Sequence, residues 1–286
     1  MTMEQACERD AESYCNKTAA CSAFALQSFW GDLETCKKRD VLWYMATLRL
    51  GDTGNTPDSF WTCSDAVDAQ SCEDFNAAVA APGCQFKPGK RALGRGCSNG
   101  AQCDTLHCDI VDNAACGVCA TKAPIGAVCD VNSDCASGAR CRQQKCVPEV
   151  GEGAACDGQT AVCAYSNTCL GATCRKPFLV GAPCDPMFDA CDYGTFGAVC
   201  DGQTKTCKAV VKLAAYGQPC GVIDNVPVDC AAFGSCGVDT PDATVGSCIP
   251  PTPDGAACDS NSLCFWPSSC SGGVCRPQPV TGVSCP

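Results

Sequence analysis

From residue 94 onward a Gly-x-x-Cys opening recurs seven times, at Gly94/Cys97, Gly126/Cys129, Gly153/Cys156, Gly181/Cys184, Gly217/Cys220, Gly255/Cys258 and Gly282/Cys285. A repeat of this length, 27–38 residues, is too short to bury a core of its own, so it limits the chain to an array of small units. Most openings lead into four cysteines. The tightest examples are Cys129, Cys135, Cys141, Cys146 and Cys258, Cys264, Cys270, Cys275, while Cys156, Cys163, Cys169, Cys174 differs by one residue. Two units are expanded, with Cys184, Cys191, Cys200, Cys207 and Cys220, Cys230, Cys236, Cys248. The first has five: Cys97, Cys103, Cys108, Cys116 and Cys119. The boundaries follow as 94–122, 126–150, 153–178, 181–210, 217–251 and 255–278, with a stub at 282–286.

Cysteine is 33 of the 286 residues, a content that marks a covalently stapled scaffold and rules out a large single-core barrel or doubly wound sheet. Each unit holds only a few apolar side chains, and ordering its backbone needs compensation from disulfides, each contributing about 2–4 kcal/mol. Cys270-Ser-Gly-Gly-Val-Cys275 centres Gly-Gly in a two-residue hairpin turn, so the last two cysteines of a unit face each other across a hairpin. We expect them to reach back to the first two, first to third and second to fourth. The opening glycine fits a positive φ or a close backbone approach. Pro148, Pro177, Pro250 and Pro277 stiffen the junctions.

Residues 1–90 differ. They hold seven cysteines and ten of the nineteen aromatics, from Tyr14, Phe24, Phe29 and Trp30 to Phe86. Their apolar spacing predicts four or five helices. One spans 3–18. One runs from an Asp32 cap to Gly51. One opens on Thr56-Pro57, and one is capped by Ser71, carries Phe75 and Val79, and ends at Pro82-Gly83. Lys87–Arg91 reads as a linker. The fold class expected is a small disulfide-rich protein: an all-α head, disulfide-pinned over 1–90, followed by an elongated array of hairpin and loop modules.

An odd cysteine count leaves one without an intrachain partner. The seven of the head and five of the first unit sum to an even number, which suggests a bond between those regions and leaves Cys285 unpaired or intermolecular. Net charge is −11. The longest basic run, Lys37-Lys38-Arg39, is followed at once by Asp40, so nucleic acid is not an expected partner. No apolar stretch suits a transmembrane segment. The start lacks a signal sequence, and so many thiols argue for an exported protein, extracellular or at the cell surface, whose signal peptide has been removed.

The unit Gly126-Ala-Val-Cys129 through Cys135, Cys141 and Cys146 to Pro148 resembles the N-terminal cysteine-rich module of Dickkopf-type secreted proteins. A helical head followed by such units resembles cysteine-rich repeat proteins exported by bacteria. The resemblance implies stapled modules and no particular activity.

Motifs for chemistry are sparse. Cys116-Gly-Val-Cys119 has redox spacing without a strand–helix setting, and one CxxC does not make a four-thiolate zinc site. Asp130, Asn132 and Asp134 start like a calcium loop, but Cys135 stands where glycine is needed. Gly96-Cys-Ser98-Asn-Gly100 spells a nucleophile motif within a module opening, and His107 is the one imidazole. Asn16-Lys17-Thr18 is a glycosylation acceptor pattern. No catalytic residue, metal or cofactor is assigned. Phe265-Trp266, in too small a unit to bury both rings, marks a neighbour contact or a partner surface. The expected function is structural or adhesive and non-enzymatic, a stalk, filament subunit or cell-surface binding module acting through a protein partner or self-association. The alternatives are a secreted protein ligand or inhibitor and a thiol-based metal or redox protein.

Overall fold

In the computed structural model the described residues are 1–285 apart from 86, 111–113, 115, 165–166, 188–189, 239, 241–242, 260–261 and 279–284. Phe86 and the stub glycine Gly282 lie outside them, and of the stub only Cys285 is described.

The head forms five helices: α1 (Met3–Cys21), α2 (Ala23–Phe29), α3 (Leu33–Arg49), α4 (Pro57–Ala69) and α5 (Cys72–Asn76). Each boundary has a local cause. Thr2, Ser22, Asp32, Thr56 and Ser71 each accept a hydrogen bond from a first-turn backbone N–H, which satisfies donors the helix leaves free. The last helix is shorter than its spacing predicts and excludes Val79, because Ala78 turns into the left-handed region at φ 52°. Ala6, Cys7, Leu48 and Phe60 form one small core, with Tyr44 packed on it. Cys15, Leu26, Trp30 and Cys36 form a second. Disulfides Cys15–Cys36, Cys21–Cys72 and Cys63–Cys84 tie the helices together.

The modules repeat one construction. The third and fourth cysteines stand opposite each other in an antiparallel hairpin: Cys141 and Cys146, Cys169 and Cys174, Cys200 and Cys207, Cys236 and Cys248, Cys270 and Cys275. The first bonds the third and the second bonds the fourth, as in Cys129–Cys141 with Cys135–Cys146 and Cys258–Cys270 with Cys264–Cys275. The same holds for Cys156–Cys169 with Cys163–Cys174, Cys184–Cys200 with Cys191–Cys207, and Cys220–Cys236 with Cys230–Cys248. In the first unit Cys97–Cys108 and Cys103–Cys119 complete the pattern, and Cys116 is the extra residue.

Each described opening glycine donates its N–H to the carbonyl of the closing cysteine, for example Gly126 to Cys146 at 2.7 Å and Gly255 to Cys275 at 2.8 Å. These glycines have φ between 78° and 90°, and no heavy atom lies within 4 Å of where a Cβ would stand. Backbone conformation, not crowding, therefore demands glycine there. Gly272 and Gly273, both at positive φ, make the predicted Gly-Gly turn.

Among the described residues sixteen disulfides form and Cys7 is the free cysteine. So dense a covalent framework is that of an extracellular chain. No described helix is long and apolar enough to cross a membrane.

Two expectations are corrected. Cys285 is not the odd cysteine: it bonds Cys116 across 169 residues, so the head keeps its own three disulfides and no bridge joins it to the first unit. The odd one is Cys7, a buried residue of α1 packed in one cluster with Leu48 of α3 and Phe60 of α4. The array also does not run away from the head as an extended stalk. The three modules over 181–278 return to it through the contacts described below, and Cys116–Cys285 closes the chain of modules into a loop. The segment Lys87–Arg91 is held too, because Lys90 donates to the Asp52 carbonyl and Arg91 pairs with the Asp52 carboxylate. The surface, 15357 Å², still exceeds the roughly 11,500 Å² of a compact monomer of this mass.

Candidate functional site

The site lies where the modules meet α2 and α3. At the C-terminal end of α2 the carbonyl of Gln27 accepts the N–H of Gly31, and the carbonyls of Gln27 and Ser28 also face a module. Ala232 and Phe233, both at positive φ, supply N–H groups to them at 3.0 and 2.8 Å. Ser22 donates its hydroxyl to the Thr195 carbonyl at 2.8 Å, and the Tyr193 ring meets Phe24 edge-on.

Arg39 fastens the last complete module. Its guanidinium pairs with Asp254 at 2.6 Å, donates to the Trp266 carbonyl at 2.8 Å and to the Phe265 carbonyl, and lies 4.7 Å from the Phe265 ring centroid. Burial opposes ionisation of Asp254, but the hydrogen bonds from Arg39 and Ser268 outweigh it and hold the carboxyl below its ordinary range. Trp266 packs between Trp30, 5.1 Å away, and Trp43, 5.8 Å away. Of the two readings of Phe265 and Trp266, the structure shows the neighbour contact, and Trp266 also lines the cavity described next. Their rings are occupied by the head and by Phe233 of the preceding module.

These contacts border a cavity of about 660 Å³ that is open to solvent. Its walls are rich in rings, with Tyr14, Trp30, Trp43, Tyr44, Phe75 and Trp266 among them. Asp40 is its buried charge-bearing group. It is 2% exposed, and its Oδ2 has no hydrogen-bond partner among the described residues. Burial pushes the Asp40 carboxyl up to about 8, nearby Asp10 adds to the shift, and the Tyr44 hydroxyl draws it back. Burial also pushes Asp10 up to about 6, although Ser64 donates to it at 2.9 Å. Asp10 lines a smaller neighbouring cavity of about 230 Å³, and Trp43 and Tyr44 line both. Burial raises Tyr14 and Tyr44 as well, with Asp40 contributing.

No protein-family model, curated protein or solved structure matches the chain.

The other sequence motifs are absorbed by structure. Cys116 and Cys119 bond different partners, Cys285 and Cys103. Ser98 donates its hydroxyl to Gln102 at 3.1 Å. Asp134 accepts the N–H groups of Asp130 and Val131, and Asn132 accepts that of Cys141, so this loop spends its oxygens on its own turn. Within modules, triplets such as Cys129, Cys135 and Cys146 bring their Sγ atoms within 4.8 Å of one another. Those sulfurs are the two adjoining disulfides. Burial pushes the free Cys7 thiol up to about 12, with Asp10 adding, which makes it a poor nucleophile.

Sequence reasoning saw Asp40 only as the residue ending a basic run. A signal was present: Cys36, Asp40, Trp43, Tyr44 and Thr47 recur at three- and four-residue spacing, which puts an acid on the inward stripe of α3.

Proposed function

We propose that this is an exported, non-enzymatic binding protein whose ligand site is the ring-lined cavity between the head and the returning modules. The observation that carries the reading is the cavity itself. Its volume falls in the 300–1,000 Å³ of small-molecule sites, and its lining is apolar rings around a few polar groups. Of the structural and adhesive roles expected from sequence, the cell-surface binding module fits best. A stalk or filament calls for units that contact only their neighbours, and here distant modules meet the head.

The test is a titration with a neutral apolar dye, N-phenyl-1-naphthylamine, followed through energy transfer from the tryptophans. One saturable site is expected. Ala25→Trp, which projects a ring into the cavity from α2, should weaken it at least tenfold with the far-ultraviolet dichroism unchanged. Absence of saturable binding, or equal binding by the variant, would overturn the reading.

A second reading, a secreted ligand for a protein target or for its own copy, is favoured by Ile125, Val128 and Val131. All three are more than half exposed at the start of the second module, an apolar group with no described cover. Sedimentation of wild type against Val128→Asp tests the self-association form. A concentration-dependent dimer lost in the variant would favour it.

A further inference from the structure

We infer that the cavity takes a small organic cation, a quaternary or fully alkylated ammonium ion. This rests on the binding reading above and specifies the class of ligand. Three features of the walls converge on it. Aromatic faces carry negative charge density and attract ammonium groups, most strongly when desolvated. The rings here come from both sides: Tyr14, Trp43 and Phe75 from the helices, Trp266 from the last module. Among the described residues of the lining the ionisable groups besides tyrosines are the acids Asp40 and Asp192, with no lysine or arginine. Arg39, next in sequence to Asp40, is turned away and engaged by Asp254 and the carbonyls of the last module.

Asp40 supplies the independent observation. A carboxyl oxygen of a residue 2% exposed, with no hydrogen-bond partner among the described residues, costs stability, and its cost falls when a cation stands beside it. An alkylated ammonium suits this oxygen better than a primary amine does. Its charge needs no hydrogen-bond acceptors, which the rings do not provide, and its methyl groups pack on ring faces. Helices wall the cavity on one side and modules on the other, and the ligand assigned to it is a free solute, which the peptide arm of the test below distinguishes from a side chain on a macromolecule.

Charged and titratable neighbours set the pH behaviour. Asp10 and Tyr14 face Asp40 from α1, Tyr44 from α3 itself, and Asp192 lines the module side. Asp40 must ionise to serve as counter-ion, so cation affinity should rise with pH between 6 and 9, while Tyr14 and Tyr44 stay protonated because burial raises them.

The experiment is competition of choline, and of its uncharged isostere 3,3-dimethylbutan-1-ol, against the neutral dye on the intact oxidised chain. Choline is expected to bind at least tenfold tighter than the isostere at pH 8. Asp40→Asn should shrink that ratio to less than about threefold and flatten the pH dependence, with far-ultraviolet dichroism and the disulfide map of the wild type retained as proof of folding. Equal affinity for choline and the isostere, with dye bound, would overturn the cation assignment and leave the binding reading standing. Loss of saturable dye binding in the wild type would overturn both. A peptide bearing trimethyl-lysine is expected to bind no better than choline, and tighter binding would overturn the assignment to a free solute.

Discussion

The head and the modules solve the same problem with different atoms. In the head, Leu26, Leu48, Phe60 and Trp30 are buried beside cysteines, and caps on every helix define the ends. In a module the buried atoms are mostly sulfur: Cys129, Cys135 and Cys146 form one cluster, and Cys156, Cys163 and Cys174 the next. The disulfides are thus reinforcement in one region and the core itself in the other. A hydrophobic core survives the loss of a staple, whereas a core made of staples does not.

Reduction should separate the regions most strongly. Under mild phosphine reduction the amides of 126–278 are expected to lose hydrogen-exchange protection at the earliest time point. Those of α1, α3 and α4 should keep a measurable part of theirs. Simultaneous loss in both regions would break the contrast. On a smaller scale, Cys135→Ala with Cys146→Ala should cost about 2–4 kcal/mol locally and expose the second module to proteolysis without moving the melting of the head. The matched pair Cys63→Ala with Cys84→Ala should lower the head's melting temperature but leave it folded.

Asp40 tests the cost of a buried acid in the head. Its pKa in the folded chain stands above the ordinary value of 3.8, at about 8. An acid raised by folding adds stability at low pH that is lost as pH rises from its unfolded toward its folded value. Asp40→Asn should therefore melt above wild type at pH 8, by on the order of a few kcal/mol, with the gap narrowing toward pH 4.5. A gap independent of pH would show that Asp40 is not the group that titrates. Arg39→Ala should have the smallest effect, about 1–3 kcal/mol. It should be seen as a red shift in tryptophan emission when Trp266 loosens from Trp30 and Trp43, with the disulfides intact.

What the sequence disclosed was local. Asp32, Thr56 and Ser71 act within one turn of their own position. The module spacing sets cysteines opposite one another in hairpins a few residues long. What it hid was distant. Arg39 reaches Asp254 across 215 residues, and Cys116 reaches Cys285 across 169. Neither pairing leaves a periodic trace, because ion pairs and disulfides between separate units obey no fixed spacing. Parity of the cysteine count revealed that one must be odd but not which. Cys7 and Cys15 lie two turns apart on α1, yet of the two only Cys15 bonds a cysteine of α3. The cavity escaped notice for the same reason, since its walls come from helices, as with Trp43, and from modules far along the chain, as with Trp266.

The central claim is that the modules return to the head and close on themselves. Peptide mapping of the unreduced chain, alkylated after denaturation, tests it most directly. The expected result is one linked pair of peptides joining Cys116 to Cys285, with alkylation confined to Cys7. Label on Cys285, or Cys7 found in a disulfide, would contradict it.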